Sequence, residues 1–459
     1  MNKIKEYVLN IHNCLISWLG RNRKCFLWVA AIIYKIVLEL YYILAVSTTY
    51  AYEGLIFDGK GWKYIVSWIV YIFMFAALPK TKDGLRETFL HLQFAITVVP
   101  LIVLYFAADQ SSNFFLMIVV VLSLEIYILS KNDKTKVGIN VNKNVKSYVT
   151  VFMMAFIIGI SLIIILYGGF FGLRAFDFNF LYMIRGTSTY PYIIQYLNGW
   201  LPTIIPFFML YYLEKKRYLI VGGLFLIDLI LYMTLGYKAI YLSLVVIFCI
   251  YMMRQWKILI PAIYVGITGV GAIITSMFVI EKSRGISSLT SICNGFFGER
   301  FLFGSALNKY LYYDCFSKYP KVGFSDGLIG KCFGLSYPYK GSMGQTIFAY
   351  FNKGRLFESN SNTGYLGDSY GQAGFVGMII TGILLAYFVK LVCNIGENLG
   401  SAMMCSLMGL LIVNLNDGAF ISIFLTGGWA VIMLLLIIYA EPKDKIYRSF
   451  LYTLKSKGN

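Results

Sequence analysis

Apolar stretches of roughly 17–25 residues recur from one end of the chain to the other, and this is the length that a helix needs to cross the hydrocarbon core of a membrane. Within lipid every backbone N–H and C=O must be paired internally, so such stretches form helices or the strands of a closed barrel. The apolar residues run continuously and do not alternate with polar ones, which indicates helices. The sequence therefore predicts an all-α polytopic membrane protein.

Twelve membrane-spanning helices are predicted, within a single membrane domain that covers residues 1–459. The predicted segments are 26–50, 62–78, 89–107, 113–130, 149–167, 193–213, 218–235, 239–253, 258–280, 374–393, 401–416 and 419–440. A short extracytoplasmic loop, 168–192, precedes the sixth helix, and a large extracytoplasmic loop, 281–373, separates helices 9 and 10. The large loop is rich in aromatic residues and glycine, so we expect a partly structured cap and not a disordered linker.

The positions of the basic residues predict the orientation of the helices. The net charge is +18, but the basic residues lie in short clusters beside the apolar segments, whereas nucleic-acid binding requires a basic soluble face. With a cytoplasmic N-terminus, the cytoplasmic loops hold 24 basic residues and the short outer loops hold 5. This asymmetry follows the positive-inside rule. It predicts that both termini are cytoplasmic and that nucleic acid is not a partner.

Four ionisable residues fall inside the predicted spans: Lys35, Glu39, Glu125 and Asp228. Lys35 and Glu39 are four residues apart on one helix, so they lie on one face and can pair. Charged side chains within lipid are costly and often functional, although they also serve as contacts between helices. The sequence leaves both interpretations open for these residues.

Five arginines fall in the predicted outer loops: Arg174, Arg185, Arg284, Arg300 and Arg355. The guanidinium group stays charged and offers a rigid fork of donors that matches phosphate oxygens. Arginines at the outer membrane face therefore suit an anionic lipid headgroup, and ordinary interfacial anchoring is the alternative for each of them. We favour Arg185 and Arg300 as functional residues.

Several kinds of chemistry have no motif in this chain. A phosphate-binding glycine loop, a serine-hydrolase elbow in a suitable setting and a HExxH zinc motif are all missing from the sequence. The histidines are His12 and His91, both predicted on the cytoplasmic side, so neither a histidine base nor a zinc site is expected outside. Of the eight cysteines, three lie in the large loop, and an odd number argues against a complete disulfide framework. No cofactor or metal is expected.

The segment 359–377, SNSNTGYLGDSYGQAGFVG, is dense in Asn, Gly, Asp and Tyr just before a predicted helix. As composition alone it is a loop and a helix start. Its run from Asn362 to Tyr370, followed by Gly374 and Gly377, resembles the late motif of Wzy-type oligosaccharide repeat-unit polymerases.

Other segments are also similar to that family. They are the segment from Tyr182 to Lys216, the run Gly236-Tyr237-Lys238, and the aromatic stretch from Arg300 to Asp326. The resemblance covers roughly residues 165–440, and the first five predicted helices add only topology.

The resemblance implies a metal-independent glycosyltransferase of the outer face of the bacterial cytoplasmic membrane. Such an enzyme joins undecaprenyl-diphosphate-linked oligosaccharide repeat units into O-antigen, capsule or exopolysaccharide. A chain-length regulator and a flippase are the implied protein partners, beside membrane lipid. The resemblance also implies roles for individual residues. The diphosphate would be bound by Arg185 and Arg300, together with Arg174 and Lys238. Asp368 is the first candidate for the base, followed by Asp326 and Glu358, and the further substrate-binding residues are Asn362 and Tyr370.

Three other functions compete with the polymerase. A lipid flippase or transporter would concentrate charges inside its helices, whereas here four such residues contrast with ten basic residues in the large loop. The related O-antigen ligases typically rely on a histidine in the large outer loop, and this loop has none. A membrane-bound acyltransferase would usually need an in-membrane histidine.

Overall fold

The computed structural model describes residues 2–80, 84–131, 141–172, 174, 191–236, 238–284, 289–352 and 360–440. Within these residues every regular element is a helix. The α-helices are Asn2–Tyr41, Ser47–Thr49, Gly61–Ala77, Leu85–Gln93, Val99–Ala107, Ser112–Ser130, Lys143–Gly168, Tyr192–Asn198, Leu201–Glu214, Tyr218–Leu235, Lys238–Gln255, Leu259–Arg284, Leu289–Asn294, Gly304–Lys318, Gly327–Phe333, Met343–Phe351, Tyr365–Gly396, Ser401–Asp417, Phe420–Leu425 and Trp429–Tyr439. They are joined by the π-helical turns Tyr42–Val46, Phe94–Val98 and Gly295–Phe303 and the 3-10 turn Ala51–Glu53.

Eight helices in the described part of the chain are long and apolar enough to cross a membrane. They are Arg21–Thr49, Leu85–Ala107, Ser112–Ser130, Lys143–Gly168, Ile193–Glu214, Tyr218–Leu235, Leu259–Arg284 and Tyr365–Gly396. Four shorter apolar helices are Gly61–Ala77, Ser243–Gln255, Ser401–Asp417 and Trp429–Tyr439. The prediction of a helical multi-pass membrane protein is confirmed. The number of twelve spans, the outer loop and the orientation of the termini stay predictions.

Four helices differ from their predicted bounds. The helices predicted over 26–50 and 149–167 begin earlier, at Asn2 and Lys143. The helix predicted over 374–393 begins at Tyr365, and its regular geometry is interrupted at Ala373 and Gly374. Gly374 has φ 65° and ψ −150°, a conformation that only glycine adopts without strain. The helix predicted over 419–440 is divided into Phe420–Leu425 and Trp429–Tyr439 by the Thr426-Gly427-Gly428 turn.

The chain divides into two compact units. The first consists of Met1–Lys131, Gln255–Tyr387 and Ile412–Phe420, and the second of Asn132–Arg254, Phe388–Leu411 and Ile421–Asn459. The single membrane domain with outer loops at 168–192 and 281–373 stays a prediction.

The first unit is built around the helix Leu85–Ala107. All of its residues from Thr88 onward are buried, as expected of a helix that is apolar on every face. A π-helical turn at Phe94–Val98 frees backbone carbonyl groups, and the Tyr34 hydroxyl donates to one of them, Ala95 O, at 2.6 Å. This bond links the first helix to the π-helical turn of the buried helix.

The second unit packs Leu201–Glu214 against Tyr218–Leu235 and Trp429–Tyr439. Its centre is aromatic, with the rings of Phe207, Phe208 and Tyr211 around Tyr439 at centroid distances of 4.6–6.1 Å. Such tilted ring pairs add stability beyond the area that they bury. The aromatic centre holds the C-terminal half of the broken helix in place.

Candidate functional site

The predicted site residues are only partly within the described chain. Arg185 and Glu358 lie outside the described residues, as does Arg355, and so does the side chain of Lys238. Arg174 is exposed in a short turn. The remaining predicted residues belong to the first unit, and they are Arg300, Asp326, Asn362, Asp368 and Tyr370.

These residues surround one helix, Gly304–Lys318, which we call the loop helix. Arg300 lies on the π-helical turn Gly295–Phe303 that leads into it. π-helical turns are rare and frequently mark functional sites. The turn packs closely against the first helix at Gly298. A Cβ atom at this position would overlap the Tyr41 hydroxyl, so glycine is required there. The Tyr41 hydroxyl in turn donates to Asn294 Oδ1 at 2.7 Å, which fixes the start of the turn.

The carboxylate of Glu299 lies beside Arg300. Its Nε atom lies 3.4 Å from Glu299 Oε2, and half of the arginine side chain is exposed, against 21% of the glutamate side chain. Burial and, to a smaller extent, the charges of Glu53 and Asp417 raise the pKa of Glu299 to about 7, although the Arg300 guanidinium opposes this shift. A carboxylate that exchanges a proton near neutral pH therefore stands next to an accessible guanidinium group.

A buried lysine, Lys309, lies in the N-terminal half of the loop helix. Lys309 is fully buried, and its ammonium group donates to Ser305 Oγ and to Asn416 O, both at 2.8 Å. Burial lowers the pKa of Lys309 to about 8, and the charge of Asp417 opposes this shift. Asn416 Nδ2 also donates to Phe301 O at 3.0 Å. These bonds hold the end of the helix Ser401–Asp417 beside Arg300.

The Asn- and Gly-rich motif packs along the loop helix. Asn308 Nδ2 donates to the carbonyl of Asn362 at 2.7 Å. A Cβ atom at Gly364 would overlap the carbonyl oxygens of Leu415 and Asn416. Glycine is required there because two backbones approach closely. The motif is thus a packing element around Asn416, and within 362–370 Asn362 is its exposed residue.

Tyr365 anchors the helix Tyr365–Gly396, which we call the motif helix. Its hydroxyl donates to Glu125 at 2.9 Å, and Gln93 Nε2 donates both to Glu125 Oε2 at 2.6 Å and to the Tyr365 oxygen at 2.8 Å. All three side chains are buried. Satisfied buried polar networks specify one packing arrangement, so Glu125 has a positioning role toward the motif.

Asp326 precedes the helix Gly327–Phe333, and Asp368 lies in the first turn of the motif helix. Gln372 connects this region, since its Nε2 donates to Asp326 Oδ1 at 2.8 Å and its Oε1 accepts from Phe324 N at 2.8 Å. Burial raises the pKa of Tyr312, and the charges of Asp368 and Asp326 add to this effect. The Tyr312 hydroxyl itself donates to Ser361 O at 3.0 Å.

Tyr370 is held in an aromatic cluster. Its ring lies 5.0 Å from that of Tyr313 and 5.2 Å from that of Phe375, and Lys321 Nζ lies 4.9 Å above it. The side chain is 5% exposed. Its contribution within the protein is packing beside the Gly374 kink.

Arg300 and Tyr312 are twelve residues apart on continuous helical backbone, which corresponds to about 15–18 Å. The carboxylate beside Arg300 is that of Glu299. We call the part of the cluster around Arg300 and Glu299 the arginine end.

Sequence reasoning missed Glu299, Lys309 and the Asn416-Asp417 pair. Glu299 is next to Arg300, and Asp417 lies where an apolar helix ends at the turn Asn416-Asp417-Gly418. Both positions could therefore have been identified from the sequence. Lys309 lies in an aromatic stretch, and nothing in the sequence links it to a partner 107 residues later.

The charged residues inside the predicted spans have different surroundings. Lys35 forms a buried ion pair with Glu39, donates to Ser67 Oγ at 3.3 Å and lies 4.0 Å from the Trp68 ring. The i, i+4 pairing predicted for these two residues is present. Asp228 is buried in the second unit, and no hydrogen bond from another described residue reaches it.

Comparison with known proteins gives no family for this chain. No protein-family model matches it, and neither a curated protein nor a solved structure is significantly similar to it. Its function must therefore be inferred from the residues and the geometry of the site.

Proposed function

We propose that this protein is a glycosyltransferase that polymerises lipid-diphosphate-linked oligosaccharide repeat units at the outer face of a bacterial cytoplasmic membrane. The observation that carries the proposal is the convergence of Arg300, its partner Glu299 and the motif 362–370 on one loop helix. These are the parts of the chain that resemble Wzy-type polymerases. Their packing around Asn416 supports a common role for them.

The reaction transfers the growing chain from its lipid diphosphate to a hydroxyl of the next unit. The acceptor oxygen forms a bond to the anomeric carbon, the bond from that carbon to the diphosphate oxygen breaks, and the acceptor proton passes to a carboxylate. Arg300 would stabilise the negative charge that develops on the leaving diphosphate. Arg185, Arg174 and Lys238 are the further cationic residues that we propose for the diphosphate.

Two carboxylate positions could receive the acceptor proton. The first is Asp368, which belongs to the motif. We propose that the acceptor is bound by further residues, namely Asp326, Glu358, Asn362 and Tyr370. Glu299 has the better position relative to Arg300, and its pKa of about 7 suits proton transfer near neutral pH. We therefore propose Glu299 as the base at the arginine end and Asp368 as a residue that binds the acceptor saccharide.

The surroundings of three of the four intramembrane charges favour an enzyme over a flippase, and Asp228 is the exception. Lys35 is paired with Glu39, and Glu125 is bonded to Gln93 and Tyr365. A transport path needs charged groups that can exchange partners with the cargo, and these groups are engaged within the protein. The ligase-like alternative lacks the outer-loop histidine, because the segment 281–373 contains no histidine.

The partners proposed here follow from this activity. They are the undecaprenyl-diphosphate-linked repeat unit, the surrounding membrane lipid, a chain-length regulator and the flippase that delivers the substrate. A cytoplasmic position of both termini belongs to the same proposal.

The proposal is tested in a deletion strain complemented with wild type, Arg185→Ala or Arg300→Ala at matched membrane expression. Arg284→Ala is the matched control, because it removes the same charge from an exposed helix end. Surface polysaccharide is resolved by gel electrophoresis. We expect a ladder or long polymer from wild type and the control, and a single repeat unit from Arg300→Ala.

The other outcomes identify the competing functions. Normal polymer from both arginine variants would place the site elsewhere. Loss of even the single surface unit on deletion, with repeat units accumulating inside the cell, would support the flippase.

A further inference from the structure

The motif helix carries an exposed apolar stripe. Val376, Ile380, Leu384 and Tyr387 follow one another at intervals of three or four residues, so they lie on one face of the helix. Each of these side chains is more than half exposed. Because the motif helix is long and apolar enough to cross a membrane, an apolar face on its outside is in contact with lipid. We call these four residues the lipid stripe.

A segment of the predicted outer loop, 322–324, is bonded to the motif helix just before the lipid stripe begins. Two of its backbone N–H groups donate to the carbonyls of Gly371 and Gln372, both at 2.9 Å. A third, Phe324 N, donates to Gln372 Oε1 at 2.8 Å. Val376, the first residue of the lipid stripe, follows Gln372 by four residues. The segment therefore lies at the level where the contact of the motif helix with lipid begins.

The short helix Gly327–Phe333 packs back onto this segment. A Cβ atom at Gly330 would overlap the carbonyl oxygen of Ser325, so the middle of the short helix contacts the backbone there. The short helix ends at Gly334, which has a φ of 63°, and Leu335 N donates to Gly330 O at 2.9 Å. This is the Schellman pattern of a helix end. The short helix is thus held beside the start of the lipid stripe.

Two large apolar side chains are exposed where the short helix ends. Phe333 is 75% exposed and Leu335 is 44% exposed. A Schellman end usually includes an apolar contact between the residues at the positions of Leu335 and Gly330. Glycine has no side chain with which to make this contact. The helix end therefore leaves its apolar side chains available to the surroundings.

The residues that flank the short helix are typical of a membrane surface. Tyr319 and Lys321 are exposed before it, and Tyr339 and Lys340 follow it, with Lys340 exposed. The Tyr339 hydroxyl donates to the Pro320 carbonyl, which brings the two flanks together. Tyrosine rings are enriched at the level of the lipid headgroups, and lysine side chains extend along apolar surface to keep their charge in water.

We propose that the lipid bilayer is the partner of this surface, and that Phe333 and Leu335 insert into the leaflet beside the lipid stripe. In the predicted orientation this is the outer leaflet. A stable protein partner would need about 800 Å² on each side, which two side chains do not supply. Insertion into lipid needs no such area, because it extends a contact that the motif helix already makes. The inference does not depend on the proposed activity.

The test uses photo-crosslinking in the full-length protein. The photoreactive amino acid p-benzoylphenylalanine replaces Phe333, and the protein is irradiated in nanodiscs of phosphatidylethanolamine and phosphatidylglycerol. Lipid adducts are identified by mass spectrometry. Replacement of Val376 in the lipid stripe is the positive control. Replacement of Asn352, an exposed polar residue of the same predicted loop, is the negative control.

We expect lipid adducts from the probe at positions 333 and 376 and none from the probe at 352. With the probe at 335, Phe333→Asp should lower the yield of lipid adduct by about 10-fold, because an apolar anchor is replaced by a charge. Phe351→Asp is the matched control, since Phe351 is another exposed phenylalanine of this loop, and it should leave the yield unchanged. Equal melting temperatures will show that the variants are folded.

Three results would overturn the inference. The first is a probe at 333 that captures no lipid while the probe at 376 does. The second is a probe at 333 that captures a second copy of the chain in place of lipid. The third is an unchanged adduct yield at 335 in Phe333→Asp. All three are read without a polysaccharide assay, so failure of this inference and failure of the proposed function are distinguishable.

Discussion

The Tyr365 hydroxyl donates a 2.9 Å hydrogen bond to the carboxylate of Glu125, a residue 240 positions earlier in the chain. This bond connects the first turn of the motif helix to a helix of the N-terminal part of the first unit. Gln93 bonds to both groups and completes the network. The orientation of the motif thus depends on helices outside the region that resembles the polymerase family.

Removing the hydroxyl of Tyr365 should destabilise the protein. Tyr365→Phe leaves the buried Glu125 without one donor, which we expect to cost about 1–3 kcal/mol. The measurement is the thermal unfolding midpoint in detergent. Tyr387→Phe is the matched control, because Tyr387 is on the same helix and 57% exposed. Equal midpoints for the two variants would show that the bond contributes nothing.

The Glu299 carboxyl group should make stability depend on pH. Its pKa is raised to about 7 from an ordinary value of 4.5. The folded state therefore binds this proton more tightly than the unfolded state. Its contribution to stability is complete below about pH 4.5 and is lost as the pH rises through about 7, with a total of about 1–3 kcal/mol.

Glu299→Gln tests this dependence, because the amide imitates the protonated acid. We expect the variant and wild type to unfold at similar temperatures at about pH 4.5, and the variant to be the more stable at about pH 8. Glu281→Gln, at the end of Leu259–Arg284, is the control. Unfolding curves whose separation does not change with pH would contradict the prediction.

Lys309 should be required for stability, because its buried ammonium group bonds to Ser305 and Asn416. Lys309→Met removes the donors to Ser305 and Asn416 and leaves their oxygens buried, a loss of about 3–5 kcal/mol. The thermal midpoint should fall clearly. Lys318→Met, on the exposed face of the same helix, should leave it unchanged. If both lysines can be replaced equally well, the buried bonds are not stabilising.

Gly374 should not tolerate a side chain. Its φ of 65° and ψ of −150° are strained for alanine, and a Cβ atom would lie 2.8 Å from Lys321 Cε. Gly374→Ala should cost about 1–3 kcal/mol in unfolding free energy, whereas Gly269→Ala, in open helical surroundings, should be neutral or stabilising. A tolerated alanine at 374 would mean that the kink is not required.

The apolar segments were predictable because hydrophobic length is a strong signal. The start of the motif helix was not, because its first turns are rich in Gly, Asp and Ser, which usually favour loops and caps. Tyr365 and Ser369 are held there by buried hydrogen bonds to Glu125 and to the helix backbone. Tertiary contacts thus outweigh local propensity, and a single sequence does not reveal them.

The break within 419–440 was missed for a similar reason. Thr426-Gly427-Gly428 is a weak interruption of an apolar run, and glycine is common in membrane helices. The break is stabilised by Trp200 and Thr203, more than 200 residues earlier. Among the candidate site residues, the importance of Arg300 was proposed from its residue type and setting, whereas the partners Lys309 and Asn416 are visible only in three dimensions.

The π-helical turns have a consequence for the evolution of chain length. A single residue deleted from a regular α-helix turns everything beyond it by about 100° about the axis, which in a packed bundle would exchange buried and lipid-facing side chains. A turn such as Phe94–Val98 already holds one surplus residue. Removing that residue would restore α-helical geometry, and the side chains on both sides of the turn would keep their buried or lipid-facing positions. Distant relatives are therefore expected to carry one-residue gaps at these turns, inside helices where gaps are normally penalised.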